Sequence, residues 1–130
     1  MRQVSVAPEP LQVGDYVVRK YEPSDAHALV VAVTASCEHL RPWMPWIKFE
    51  PQTVAQREVL IKTWNEAWEN CTECVMGIFL GSRVVGGTGL HLRGDINTVE
   101  IGYWVHVDFV GKGIGTQVSR ILTETAFSIW

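Results

Sequence analysis

The sequence predicts an α+β domain in which helices pack on a mostly antiparallel β-sheet. Apolar residues recur at spacings of three and four in three segments, which indicates three amphipathic helices. Runs rich in β-branched residues lie between them, and two of these runs are joined by Gly81-Ser82, a connection typical of a hairpin. The predicted order of elements is β-α-α-β-β-β-α.

The first strand is predicted over Tyr16–Tyr21, which is rich in β-branched and aromatic residues. A helix is predicted over Ser24–Glu38, where apolar residues lie three and four positions apart. Residues 1–13 show no hydrophobic period, so we expect them to form an N-terminal tail.

A second helix is predicted from Thr53 to about Asn70, because Thr53 and Gln56 have the spacing of a capping box. The preceding segment, Leu40–Trp46, contains two prolines, which exclude a regular helix. Its tryptophans, Trp43 and Trp46, either line an amine pocket or close the core, and both interpretations remain open.

The second half begins with a predicted hairpin of Cys74–Leu80 and Arg83–Leu92. A third antiparallel strand, Val99–Val107, alternates strictly, so Ile101, Tyr103 and Val105 share one face and Glu100, Gly102 and Trp104 share the other. The last helix begins just after the glycines near Gly113 and continues to the end of the chain.

Length and composition indicate that residues 1–130 form a single folded domain, with 47% hydrophobic and 19% charged residues. The net charge of −3 and the scattered 11 Lys and Arg residues provide no basic surface for nucleic acid. No apolar run reaches the ~20 residues that span a bilayer, and the N terminus does not have the pattern of a signal peptide. We therefore expect a cytoplasmic protein without nucleic-acid or membrane partners.

Cys71 and Cys74 form a C-x-x-C motif that could indicate a zinc or redox site. The sequence contains no second pair, and the four histidines lack metal-ligand spacing. Two ordinary thiols are the favoured interpretation, and no metal site is expected.

A phosphate-binding segment is predicted between the last strand and the last helix, where Gly111, Gly113 and Gly115 alternate with other residues. Glycine lets the backbone approach a ligand, and the first turn of a helix offers N–H groups and a positive dipole end. Such a site suits phosphate. The spacing fits neither a P-loop nor a dinucleotide-binding fingerprint, and a turn that binds no ligand is the alternative.

The stretch Glu100–Thr116 resembles the acetyl-CoA signature of the GNAT superfamily, and Leu40–Trp46 resembles its ribosomal-protein-alanine acetyltransferase, or RimJ/RimL-like, branch. The resemblance covers about Gly14 to Trp130. It implies three α/β/α layers, with a mixed, mostly antiparallel sheet and helices on both faces. It also implies an acetyl-CoA-dependent N-acetyltransferase of primary amines, with a protein N terminus favoured over a small amine or antibiotic. A non-catalytic acyl-CoA-binding fragment is the rival hypothesis.

The family pattern Q/R-x-x-G-x-G/A falls on Val110, Gly113 and Gly115, and Val110 departs from Gln or Arg. The resemblance implies that backbone groups near Trp104 and Val105 bind the pantetheine arm of acetyl-CoA. Lys112 either adds charge to the phosphates or is a surface lysine. The pyrophosphate would be held by Gly111, Lys112, Gly113, Ile114, Gly115 and Thr116.

An amine that attacks a thioester directly must first lose a proton, so a proton acceptor is required. Glu100 is the best candidate, because it shares a strand face with Gly102 and Trp104 and similar proteins often place a glutamate on this strand. A surface ion pair is the alternative role. Tyr103 is predicted to lie on the opposite face.

A complete domain of this family would continue beyond Trp130 with a parallel strand, a helix and a hairpin. The resemblance therefore implies that these C-terminal elements, and the general acid they carry, are absent. An open sheet edge would favour pairing with another chain, so we expect self-association through the incomplete side.

Overall fold

A computed structural model of the chain describes residues 10–42, 44, 52–69, 73–92 and 99–129. Within these residues the chain forms five strands, three α-helices and two short 3-10 turns, Pro23–Asp25 and Val107–Phe109. The helices are α1 Ala26–Leu40, α2 Val54–Glu69 and α3 Ile114–Ile129. The strands are β1 Leu11–Val13, β2 Tyr16–Lys20, β3 Glu73–Leu80, β4 Arg83–Leu92 and β5 Val99–Val105.

The five strands form one sheet whose spatial order follows the sequence, β1-β2-β3-β4-β5. Every pairing among the described strands is antiparallel. The α+β class is confirmed. The parallel pairing that the family resemblance implied is not among these strands.

The predicted N-terminal tail over residues 1–13 is wrong at its end, because Leu11–Val13 is the first strand of the sheet. Leu11 pairs with Val18, and Val13 is buried. Gly14 has a φ of 59°, in the left-handed region that a tight turn needs, and it reverses the chain onto β2. The sequence did not indicate this strand, because three residues are too few to show a hydrophobic period.

The core is divided between the two faces of the sheet, because side chains alternate along each strand. Cys74, Met76 and Ile78 of β3 pack on the same side as α3. Phe79 and the β4 residue Val84 pack on the side of α1 and α2. Helices therefore cover both faces, which confirms the predicted layers.

Two local predictions have different outcomes. The capping box of α2 is present, since Thr53 N donates to Gln56 Oε1 at 2.8 Å and Gln56 N donates to Thr53 Oγ1 at 3.1 Å. The last strand ends at Val105 rather than at Val107. Val107 N donates to Ser36 Oγ of α1 at 3.0 Å, and the chain turns there into the second 3-10 turn.

None of the helices in the described part of the chain is both long and apolar enough to cross a membrane.

Candidate functional site

The glycine-rich segment lies between the second 3-10 turn and the start of α3, as predicted. Gly111 and Gly113 have φ values of 79° and 75°, which side-chain-bearing residues rarely adopt. A Cβ at Gly111 would meet nothing within 4 Å, and one at Gly113 would meet only Gln117 Nε2 at 3.9 Å. The space beside both glycines is open, so a ligand can approach their backbone.

The start of α3 adds hydrogen-bond donors to this open backbone. Gln117 N donates to Gly113 O at 3.0 Å, which is the first bond of the helical ladder. The N–H groups of Ile114, Gly115 and Thr116 precede that bond and lie at the positive end of the helix dipole. This arrangement can hold an anion.

Gly115 has a packing role that the sequence did not indicate. A Cβ at Gly115 would collide with the ring of Tyr103, which projects from β5 toward α3. Glycine at this position therefore allows the first turn of α3 to pack against the β5 tyrosine. Its backbone N–H still belongs to the first turn.

The turn that leads into the glycines is fixed by one local polar contact and by two contacts to distant parts of the chain. His106 is buried, and its Nδ1 accepts a hydrogen bond from Asp108 N at 3.0 Å. Arg83 Nη2 lies 3.4 Å from Asp108 Oδ2. Burial lowers the pKa of His106, and the Asp108 carboxylate opposes that shift. Ser36, which binds Val107 N, is 71 residues away in sequence, so no local spacing could have indicated it.

Strand β5 lies at one end of the order of the described strands, and the register shows which of its backbone groups point away from β4. His106 N donates to Val85 O at 2.8 Å, so these two residues form a hydrogen-bonded pair. Hydrogen-bonded and non-hydrogen-bonded pairs alternate along an antiparallel ladder, so the next pair, Val105 and Gly86, is not hydrogen-bonded. Val105 therefore directs its N–H and C=O away from β4, as a pantetheine contact would require. Trp104 directs its backbone toward β4, and its indole lies over Gly87.

A cavity of about 380 Å³, which we name the glycine groove, lies beside the start of α3. It brings together most of the residues predicted to bind acetyl-CoA. Lys112 is exposed and is not among the residues that line it. The lining includes Trp104, Val105, Gly111, Gly113, Ile114, Gly115 and Thr116.

A second cavity, of about 630 Å³, lies on the α1 and α2 side of the sheet, and we name it the sheet cavity. Leu29 and Val33 of α1 and Trp64 of α2 give it apolar walls. Tyr103 and Trp104 line this cavity and the glycine groove alike. The two cavities therefore share a wall.

The wall of the sheet cavity has open space at Gly102. Gly89 of β4 lies opposite Gly102 of β5, and a Cβ at Gly102 would meet nothing within 4 Å. Trp104 lies on one side of this pair along the strands. Glu100 and His91 lie on the other side, directly opposite each other.

Glu100 is exposed and lines the sheet cavity on the same strand face as Gly102 and Trp104, as predicted. Its neighbour His91 lies with Nδ1 3.2 Å from Glu73 Oε1 of β3. Sequence reasoning missed Glu73 and His91 as site residues, because only the strand register aligns them with Glu100.

Trp43, Trp46 and Cys71 lie outside the described residues. Met44, between the two tryptophans in sequence, lines both cavities. Cys74 is buried. Across the described ranges, no group of three or more His, Cys, Asp or Glu side chains could hold a metal ion.

Solved structures with this fold include two acetyltransferases that carry a ligand. One is RimL, the ribosomal L7/L12 α-N-protein acetyltransferase, in complex with coenzyme A, with a TM-score of 0.78 and 20% identity over 89% of this chain and 67% of that one. The other is the microcin C7 self-immunity acetyltransferase MccE in complex with acetyl-CoA and AMP, with a TM-score of 0.80 and 20% identity over 95% of this chain and 70% of that one. These likenesses show the fold.

A relative closer in sequence is YdaF of Bacillus subtilis (strain 168), which is named as a ribosomal N-acetyltransferase and is 29% identical over 111 residues. The match covers 85% of this chain and 61% of YdaF, so the chain spans less than two thirds of that relative. The family model described as the acetyltransferase (GNAT) domain matches residues 16–129, which is most of the sequence. The family resemblance seen in the sequence is thus confirmed, and the chain belongs to the GNAT acetyltransferase family.

Proposed function

We propose that the protein acts in the cytoplasm as an acetyl-CoA-dependent N-acetyltransferase, and that its acceptor is a protein N-terminal amine. The observation that carries the proposal is the wall of Tyr103 and Trp104 that the glycine groove shares with the sheet cavity. An acyl donor in the groove and an amine in the sheet cavity would meet at this wall.

The groove residues fit acetyl-CoA at two points. The open backbone at Gly111 and Gly113, with the N–H groups of the first turn of α3, suits the pyrophosphate. The outward backbone of Val105 suits the amide groups of the pantetheine arm, because an extended ligand can pair with a strand edge. When bound, acetyl-CoA supplies a thioester whose acetyl group an amine can attack.

The acceptor must give up a proton before its nitrogen can attack, since an ammonium has no free lone pair. Glu100 provides a carboxylate in the wall of the sheet cavity, near the open space at Gly102. We assign it the role of proton acceptor, acting directly or through a water molecule. A surface ion pair would be the alternative role of Glu100.

A protein N terminus is the favoured acceptor because of the cavity and the relatives. The sheet cavity combines carboxylates with apolar walls, so it suits an ammonium next to a short side chain. YdaF and RimL carry names of ribosomal-protein acetyltransferases. Trp43 and Trp46 remain proposed pocket residues, supported by Met44 between them. A small amine or antibiotic is the second candidate, favoured by the likeness to MccE.

Calorimetric titration of the chain with acetyl-CoA, followed by thiol-release assays, tests this proposal. We expect saturable binding of acetyl-CoA, and thiol release with peptides that have a free N terminus but not with their N-acetylated copies. Thiol release with polyamines but not with peptides would mean that the acceptor is a small amine and not a protein N terminus. Binding of acetyl-CoA without thiol release in the presence of any amine would favour the non-catalytic acyl-CoA-binding fragment. An absence of acetyl-CoA binding would refute acetyl-CoA as the donor.

A further inference from the structure

We propose that His91 is a second proton acceptor in the sheet cavity, held in a row between Glu73 and Glu100. The inference rests on the proposed function, because it takes the sheet cavity to be the amine site. It assigns a role in the proton transfer to a histidine that the sequence did not single out.

The row is produced by the strand register. Glu73 of β3 pairs with His91 of β4, and His91 pairs with Glu100 of β5. Directly paired residues project from the same face of a sheet, and all three of these residues line the sheet cavity. Cross-strand neighbours on one face have Cβ atoms roughly 5 Å apart, which places an imidazole between two carboxylates.

The orientation of the ring decides which nitrogen can serve an acceptor. His91 Nδ1 lies 3.2 Å from Glu73 Oε1, although it has no aligned hydrogen bond to the described residues. Nε2 lies on the other side of the ring, 3.1 Å from the point that a Cβ of Gly89 would occupy. It therefore lies over Gly89, the residue opposite Gly102, where the cavity wall has open space.

In the proposed step, the acceptor ammonium gives one proton to Nε2 of a neutral His91, and the ring passes it on to the Glu100 carboxylate opposite, so Glu100 keeps the role assigned above. The electron pair of the broken N–H bond stays on the amine nitrogen and becomes the lone pair that attacks. The ring becomes an imidazolium, so the total charge is unchanged. Glu73 and Glu100 on its two sides are placed to balance the positive charge.

Other groups that line the sheet cavity also bear on the proton transfer. From α2, the buried Arg57 contributes a positive charge to the same cavity. Tyr21 is neutral, because burial raises the pKa of its hydroxyl. The α1 residues Leu29 and Val33 are apolar. The carboxylates of Glu73 and Glu100 oppose the charge of Arg57, and the proton leaves His91 for Glu100 or solvent.

Nuclear magnetic resonance on the intact 130-residue chain tests the placement without requiring turnover. We expect the His91 Cε1–H resonance to shift when a tripeptide with a free N terminus is added, and not with its N-acetylated copy. His27, exposed on α1, is the matched internal control and should not respond. A His91 resonance that ignores the free peptide, in a chain that binds acetyl-CoA by calorimetry, would overturn this inference and leave the donor site intact.

Kinetics of His91→Gln, with His27→Gln as the control variant, test the proton transfer itself. We expect kcat to fall about 10- to 100-fold, at or below the lower end of the range for proton-transfer catalysis because Glu100 remains, with the acetyl-CoA Kd unchanged. The deficit should shrink as pH rises, because more of the amine is then neutral. Glu73→Gln should reproduce part of the loss and serves as the second variant if His91→Gln does not fold. A pH profile of His91→Gln that matches the His27→Gln profile would refute the role.

Discussion

The ring of Tyr103 on β5 occupies the space beside the Cα of Gly115, where any larger residue of α3 would place its Cβ. This contact joins the edge strand to the first turn of the last helix. Because Tyr103 also lines both cavities, the same contact positions the wall between them.

Gly115→Val should therefore reduce stability through the tyrosine. The Tyr103 ring must move aside, and because it is 46% exposed the loss should lie near the low end of the cost of overpacking, about 1 kcal/mol. Thermal unfolding measures the loss, and the double variant Gly115→Val/Tyr103→Ala should recover part of it. If Gly115→Val unfolds at the wild-type temperature, this explanation of the glycine is wrong.

Gly113→Val should weaken acetyl-CoA binding at least tenfold, because a branched side chain would cover the backbone that a phosphate must approach. Gly81→Val is a matched control. Gly81 has a φ of 61° and open space around it, but it lies in the β3–β4 turn and not in either cavity. Both variants should lose a similar stability of about 1–2 kcal/mol from the left-handed backbone, while Gly81→Val keeps its affinity. If Gly113→Val and Gly81→Val bind acetyl-CoA with equal affinity in calorimetry, the glycine groove does not bind the phosphates.

Glu100→Gln should lower kcat by about 100-fold or more near neutral pH, as expected for loss of a proton acceptor, with little change in acetyl-CoA affinity. Residual activity should rise with pH as the amine becomes neutral on its own. Glu66→Gln, on the exposed surface of α2, is the control for loss of one negative charge. A Glu100→Gln enzyme with the wild-type kcat would refute the role of proton acceptor and favour the alternative, a surface ion pair.

The turn before the glycines should lose stability in mild acid because of His106. Burial lowers the pKa of this imidazole in the folded state, so the unfolded chain binds the proton more readily. Stability is then fully present above the unfolded-state pKa of about 6.5 and is lost as pH falls toward the lower folded value. Protonation would also remove the acceptor for Asp108 N. Unfolding temperatures at pH 7 and pH 5 should differ less for His106→Asn than for the wild type, and an equal difference would contradict this role.

The sequence was sufficient for features that depend on neighbours along the chain. The α2 capping box at Thr53 and the open turn at Gly111 and Gly113 follow from local spacing, and both are present. The site features that it missed depend on contacts between distant segments. The bond from Val107 to Ser36 joins residues of different elements, and no periodicity encodes it.

The same limit explains the row of Glu73, His91 and Glu100. Alternation assigns each residue to a face of its own strand, but a shift of one residue in pairing would separate them. The contact between Tyr103 and Gly115 likewise depends on how α3 docks on β5. Local patterns thus located the glycine groove, while its packing and the histidine of the sheet cavity required the tertiary structure.

The wall shared by the two cavities also has a thermodynamic consequence. An occupant of the glycine groove would touch Tyr103 and Trp104 from one side, so it would alter the surface that an amine meets on the other. Linkage then requires that each ligand change the affinity of the other by the same factor. If the donor orders this wall, the free protein binds amines weakly and the loaded protein binds them well. Donor-first binding would then follow from the architecture, without any moving lid.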